Sequence, residues 1–193
     1  MFNKEKIRGT QTERNLINSF AGESQARNRY TYFAKLAKKE GYEQIAAIFL
    51  ETAEQEKEHA KLFYDFIPAG HLEVSAYYPF MLGTTEENLE SAAAGEHEEW
   101  DVLYVKGEQD ALEEGFVEIA ETFKQVRHAE IHHERRYLRL LEQVRNKTVF
   151  HKDYEAEWVC RECGYVIIGK SAPEKCPNCH HPQAYYQLLC EEF

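Results

Sequence analysis

The chain has no run of about 18 apolar residues, so no membrane-spanning helix is expected. Its first residues, MFNKEKIRGTQTE, lack an apolar core of the signal-peptide kind, and no signal peptide is expected. Cysteine is scarce: five among 193 residues is too few for a disulfide scaffold of this size and points to a reducing interior. Positive charge is in deficit as well, with 23 Lys and Arg against 34 Asp and Glu. The resulting net charge of −11 argues against a nucleic-acid partner and against an anionic membrane surface. A cytoplasmic protein is expected, and the 43% hydrophobic content supports one sizeable core and a small additional module.

What is present is helical periodicity. Thr10 to Glu13 has capping-box form and opens a helix with the stripe Leu16, Phe20, Glu23, Ala26, Tyr30, Ala34, Ala37, which Gly41 ends. A second stripe runs Ile45, Phe49, Thr52, Glu56, His59, Phe63, Phe66 and closes at Pro68. Residues 68–83 hold two prolines and two glycines and read as a crossover loop. Thr84 to Glu87 caps a third helix with Leu89, Ala92, Glu96, Glu99 and Leu103 on one seam. Gly107 is expected to break it. Asp110 to Glu113 is expected to cap a long fourth helix carrying Phe116, Ile119, Phe123, Val126, Glu130, His133, Tyr137, Leu140 and Val144. Short links within each helix pair and one long link between pairs describe a four-helix bundle with a single crossover. The expected boundaries are a bundle over 1–147, a polar linker over 148–157 and a Cys-, Pro- and Gly-rich second domain over 158–193.

An internal repeat supports the pairing. Glu40 to Phe49 resembles Glu114 to Phe123 at a shift of 74, which also carries Glu56 onto Glu130 and His59 onto His133. A shift of 73 carries Ala21 to Glu23 onto Ala94 to Glu96. A duplicated helix pair predicts a pseudo-twofold site between the halves.

Glu23, Glu56, His59, Glu96, Glu130 and His133 stand on seams where apolar residues belong. In each Glu-x-x-His the two side chains project about 60° apart and share a face. Most other glutamates, such as Glu51, Glu54, Glu58, Glu98 and Glu134, read as solvated surface charge. That reading fails for the six, whose seam neighbours are mostly Phe, Ile, Leu and Val. The seams also offer no basic partner at that level. Four buried carboxylates without cations would take up protons or cost many kcal/mol. Two divalent cations remove the conflict, and carboxylate with imidazole suits iron or manganese. One Glu from each of two helices and one Glu-x-x-His from each of the other two is the ligand set of dimetal carboxylate bundles. Glu99 has no twin in the repeat and is a seventh candidate on one side only. Tyr30 and Tyr104 are placed either to hydrogen-bond the carboxylates or to pack as ordinary core tyrosines. His97, His128 and His132 lie off the seams.

Cys160, Cys163, Cys176 and Cys179 form two Cys-x-x-Cys knuckles, the spacing of a four-thiolate site that takes either iron or zinc. Cys190 is left over, with no assignable role.

Both halves resemble rubrerythrin. The bundle does so in FAGESQARNRY, ETAEQEKEHA, AAAGEHEEW and RHAEIHHERR, and the tail resembles a rubredoxin-like module in VCRECGY and CPNC. The resemblance implies a ferritin-like bundle with two non-haem irons held by Glu23, Glu56, Glu96, Glu99, Glu130 and His133. It implies that His59 exchanges with Glu99 as the iron changes oxidation state, and that the four cysteines hold a third iron. Zinc or manganese could substitute for iron at these sites. It further implies a hydrogen peroxide reductase fed by rubredoxin or by a reduced-nicotinamide-dependent reductase, and a homodimer arranged head-to-tail or by helix exchange. The competing readings are a ferritin-like iron-oxidising protein with a structural zinc ribbon, and a zinc-ribbon interaction protein on a structural bundle.

Overall fold

A computed structural model of the chain describes residues 2–191. Helix α1 (Gln11–Lys39) starts where the Thr10 hydroxyl accepts the Glu13 amide, and ends at Gly41, whose φ of 86° reverses the chain. Helix α2 (Glu43–Tyr64) packs antiparallel along it. Residues 65–84 then cross over without regular secondary structure. Helix α3 (Thr85–Glu98) opens with the full capping box of Thr84 and Glu87 and passes into a π-helical turn over Glu99–Leu103. Helix α4 (Tyr104–Glu113) continues the same rod, and α5 (Val117–Arg145) returns along it.

Two sequence expectations fail in this region. Gly107 does not break the third rod, which runs through it to Glu113. The glycine is there for proximity: a Cβ at that position would stand 2.7 Å from the Phe123 ring. Asp110 lies inside α4 and accepts from the Asn15 side chain at 2.8 Å rather than capping the next helix. The real break is Gly115, at φ 82°, the repeat counterpart of Gly41.

The π-turn accounts for a detail of the repeat. Glu23 maps to Glu96 at a shift of 73, but Tyr30 maps to Tyr104 at 74. The extra residue falls where the backbone widens from i→i−4 to i→i−5 bonding, the Tyr104 N–H donating to the Glu99 carbonyl. Both tyrosines therefore keep the same face. The expected seam position of Leu103 is lost to that widening, and its side chain is exposed.

The two halves also cap each other. The Glu40 carboxylate accepts from the Thr85 amide at 2.9 Å, and the Glu114 carboxylate from the Gln11 and Thr12 amides at 2.9 Å each. Each carboxylate thereby serves unpaired amides at a helix N-terminus of the other pair.

The bundle core is two apolar clusters. One gathers Tyr30, Phe33, Phe49, Leu89 and Tyr137, the other Leu16, Phe63, Tyr104, Ile119 and Phe123. Along every rod the polar seam residues fall between them.

The tail is a three-stranded antiparallel sheet of order β2-β1-β3, from β1 (His151–Cys160), β2 (Val166–Ser171) and β3 (Tyr186–Leu188). Residues 151–157, expected in a polar linker, are instead the first part of β1, with Ala156 facing Gly169 and Glu157 facing Ile168. Trp158 is fully buried beneath the sheet and donates to the Gly169 carbonyl. The Phe150 ring stacks on Tyr42 at 6.1 Å, seating the sheet against the α1–α2 turn.

Candidate metal centres

The four rods bring the seam residues together. Glu23, Glu56, Glu96 and Glu130 have no exposed surface, and His133 keeps 2%. Ligand atoms of Glu23, Glu56, His59 and Glu130 lie within 4.8 Å of one another, and so do those of Glu56, Glu96, Glu130 and His133. Glu56 and Glu130 belong to both groups, so two adjacent cation positions would share two bridging carboxylates. His59 Nδ1 is 2.9 Å from Glu130 and 3.0 Å from Glu56. His133 Nδ1 is 2.8 Å from Glu130, 3.2 Å from Glu56 and 3.3 Å from Glu96. Glu99 belongs to neither group; its carboxylate lies beside Gly22 and Tyr78.

The donor set fits cations. Among the described residues, buried oxygens of Glu23, Glu56, Glu96 and Glu130, and His133 Nδ1, lack hydrogen-bond partners although they converge on one another. Burial pushes the Glu23 carboxyl well above the ordinary range, and Glu130, Glu99 and Glu56 push it further. Glu96 is raised by burial and by Glu56, and Glu99 well above by burial, Glu96, Glu130 and Glu56. Burial opposes protonation of the imidazoles, but the facing carboxylates outweigh it, taking His59 to about 10 and His133 to about 12. Such a cluster attracts positive charge, and two divalent ions supply it without protons.

Outer contacts orient the set. The Tyr30 hydroxyl donates to Glu96 at 2.5 Å, and the Tyr104 hydroxyl donates to Glu23, its counterpart in the repeat. His133 Nε2 meets the Gln55 side-chain oxygen at 3.0 Å, which assigns the proton to Nε2 and frees Nδ1 for a metal. Arg136 holds that region by donating to Gln55 and Thr52. Sequence reasoning missed Gln55, Arg136, Tyr78 and the buried Arg29. The signal for Gln55 was its place one residue before Glu56, turned towards α5.

Two site residues are less enclosed than the others. A cavity of about 380 Å³, bounded by Gly22, Gln25, Arg29, Tyr78 and Glu99, opens between α1 and the π-turn beneath the crossover segment. Another of about 310 Å³, between α2 and α5, reaches His59. Free space therefore adjoins Glu99 and His59, while the remaining five are packed in. His97, His128 and His132 are exposed, as their off-seam positions predict.

In the tail, the four cysteine sulfurs lie within 4.8 Å of one another, with Cys160–Cys179 and Cys163–Cys176 both at 3.7 Å. That is too long for a disulfide. It matches the edge of a tetrahedron with metal–sulfur bonds of ~2.3 Å, about 3.8 Å. Gly164, at φ 73°, permits the first knuckle's turn, and its N–H donates to the Cys160 carbonyl. Cys190 is exposed and apart from the four.

A crossover bundle with a carboxylate–histidine dimetal cage, joined to a small four-thiolate sheet, defines a ferritin-like diiron protein with a rubredoxin-like module. Two family profiles divide the chain the same way: Rubrerythrin over residues 14–141, and the rubrerythrin rubredoxin-like domain over 158–187. The chain is 56% identical to a rubrerythrin of Porphyromonas gingivalis, the alignment covering 95% of this chain and 92% of that protein. It is 46% identical to the rubrerythrin of Nitratidesulfovibrio vulgaris, over 95% and 96%. Nigerythrin in its mixed-valence state superposes with a TM-score of 0.63 at 30% identity, over 98% of this chain and 94% of that one. The chain belongs to the rubrerythrin family, diiron peroxidases that carry a rubredoxin-like iron site.

Proposed function

We propose that this chain reduces hydrogen peroxide to water in the cytoplasm. Glu23, Glu56, Glu96, Glu130 and His133 are the fixed ligands of two irons, His59 and Glu99 the exchanging pair, and Cys160, Cys163, Cys176 and Cys179 the ligands of a third. One observation carries the reading: a cage with two shared carboxylates stands in the same chain as a four-thiolate site. When bound, the paired irons supply the two electrons that cleaving an O–O bond consumes, and the thiolate iron returns electrons singly.

The side chains do the rest. Glu56 and Glu130, common to both ligand groups, would be shared by the two irons. Tyr30 and Tyr104 hold Glu96 and Glu23 from opposite ends, so the cage keeps its shape as charge changes. Neutral His59 suits the lower charge and anionic Glu99 the higher, and both have free space beside them. Apolar clusters above and below shield the cage from water at both ends.

Rubredoxin or a reduced-nicotinamide-dependent reductase is the proposed donor. A head-to-tail homodimer, with or without helix exchange, is the proposed assembly. Support comes from the seat of the sheet at the α1–α2 turn, about 20 Å along α2 from Glu56. In such a dimer the partner's tail would have to lie closer to the cage than the chain's own.

Stopped-flow mixing of the reduced protein with peroxide and, separately, with oxygen tests the reading. Faster oxidation by peroxide is expected. Faster oxidation by oxygen would point to iron handling instead.

A further inference from the structure

Arg29 is a buried cation that the chemistry above does not use. It is 8% exposed, and its Nε and Nη1 find no hydrogen-bond partner among the described residues. An unpaired buried guanidinium is expensive and calls for an anionic neighbour. Its flat face lies 5.7 Å from the Tyr30 ring and 6.0 Å from Phe33, which fixes its direction. Gly95 of α3 lies against it, a Cβ there falling 3.6 Å from Nη2, an ordinary contact. Arg29 and Glu99 border the same cavity, with Gly22 and Gly95 keeping side chains out of it. Within that cavity Glu99 sits apart from both ligand groups.

We propose that Arg29 is the charge partner that receives Glu99 when this carboxylate is off the metal. The inference deepens the exchange of Glu99 with His59 and rests on it. A carboxylate leaving a cation inside a protein must be protonated, hydrated or paired. The guanidinium supplies the pairing on the side of the cage facing the cavity, and its planar fork accepts a carboxylate in more than one pose. Arg29 is thus a positioning residue: it sets where Glu99 rests and does not touch substrate.

The test is the place of Glu99 in crystals of the iron-loaded protein, ferrous and ferric, for the wild type, Arg29→Met and Arg29→Lys. The expected wild-type result is Glu99 off the metal when ferrous and on it when ferric. Arg29→Met is expected to keep Glu99 on the metal in both forms, and Arg29→Lys to restore the exchange. Single-turnover reduction of peroxide should slow by about tenfold in Arg29→Met, the worth of one charged hydrogen-bond partner, and recover in Arg29→Lys. A purely structural role for Arg29 would not move Glu99. If Arg29→Met does not fold, Arg29→Gln is read in the same way. Ferrous Glu99 off the metal in the uncharged variant, as in the wild type, overturns the proposal. A wild type that holds Glu99 in one place in both forms overturns the exchange itself, and the proposal with it.

Discussion

At the scale of single residues, the cage was legible because polarity contradicted position. Glu23, Glu56, Glu96, Glu130 and His133 stood among Phe, Leu and Ile on one helical face, and each is buried. Arg29 was not legible by that route. It lies off the seam beside Tyr30, and its burial comes from packing against α3 and the crossover side of the cavity, which no local pattern reports. Gly107 was misread for the same reason, since its partner Phe123 is distant in sequence. Phe123 is itself wedged against Phe63 and Tyr104, at 4.9 and 5.9 Å, and cannot give way. Gly107→Ala is therefore expected to lower stability by roughly 1–3 kcal/mol, read as a lower denaturant midpoint. Tyr104→Phe leaves Glu23 without its donor. It should weaken ferrous iron binding by about tenfold or more in a chelator competition, with little change in fold by circular dichroism.

At the scale of elements, starts were easier to read than ends. Thr10 and Thr84 cap helices as their sequences announce, because a cap needs only neighbouring residues. The π-turn needs the whole rod: its extra residue appears only as a shift of 73 becoming 74 between Glu96 and Tyr104. The cross-caps of Glu40 and Glu114 are equally non-local. Burial raises the Glu114 carboxyl, but bonds from Thr12 and Gln11 outweigh it and hold the group below its ordinary 4.5. A depressed folded value means the unfolded chain binds the proton more readily. The stabilisation is therefore fully present above pH 4.5 and lost as pH falls through the folded value. Glu114→Ala is expected to cost about 1 kcal/mol at neutral pH. Urea titrations across pH should show the two proteins converging on the acid side; a constant difference down to strong acid would remove the cap from the account.

At the scale of the whole molecule, the order of bundle and thiolate module was legible from spacing alone, since Cys-x-x-Cys pairs and Glu-x-x-His pairs never mix along the chain. Where the module sits was not, because Tyr42 and Phe150 are ordinary aromatics until their rings are seen to stack. Separate roles for the two parts predict separable losses. Cys176→Ser should abolish donor-driven turnover, while pre-reduced protein still completes one round with peroxide in a rapid-mixing experiment. Iron content should fall from about three per chain to about two. Loss of the single round as well would mean that the module shapes the cage.

The reciprocal caps reach further than stability. A helix pair standing alone would hold a loop carboxylate with no amide to receive it, a tyrosine with no glutamate to grip, and one bridging carboxylate of the two. A second identical pair, rotated by a half-turn, supplies every missing half at once. The present bundle thus has the layout of two like hairpins facing each other, with residues 65–84 as the covalent tie between them. Glu99, whose counterpart in the repeat is Ala26, is where the two halves differ.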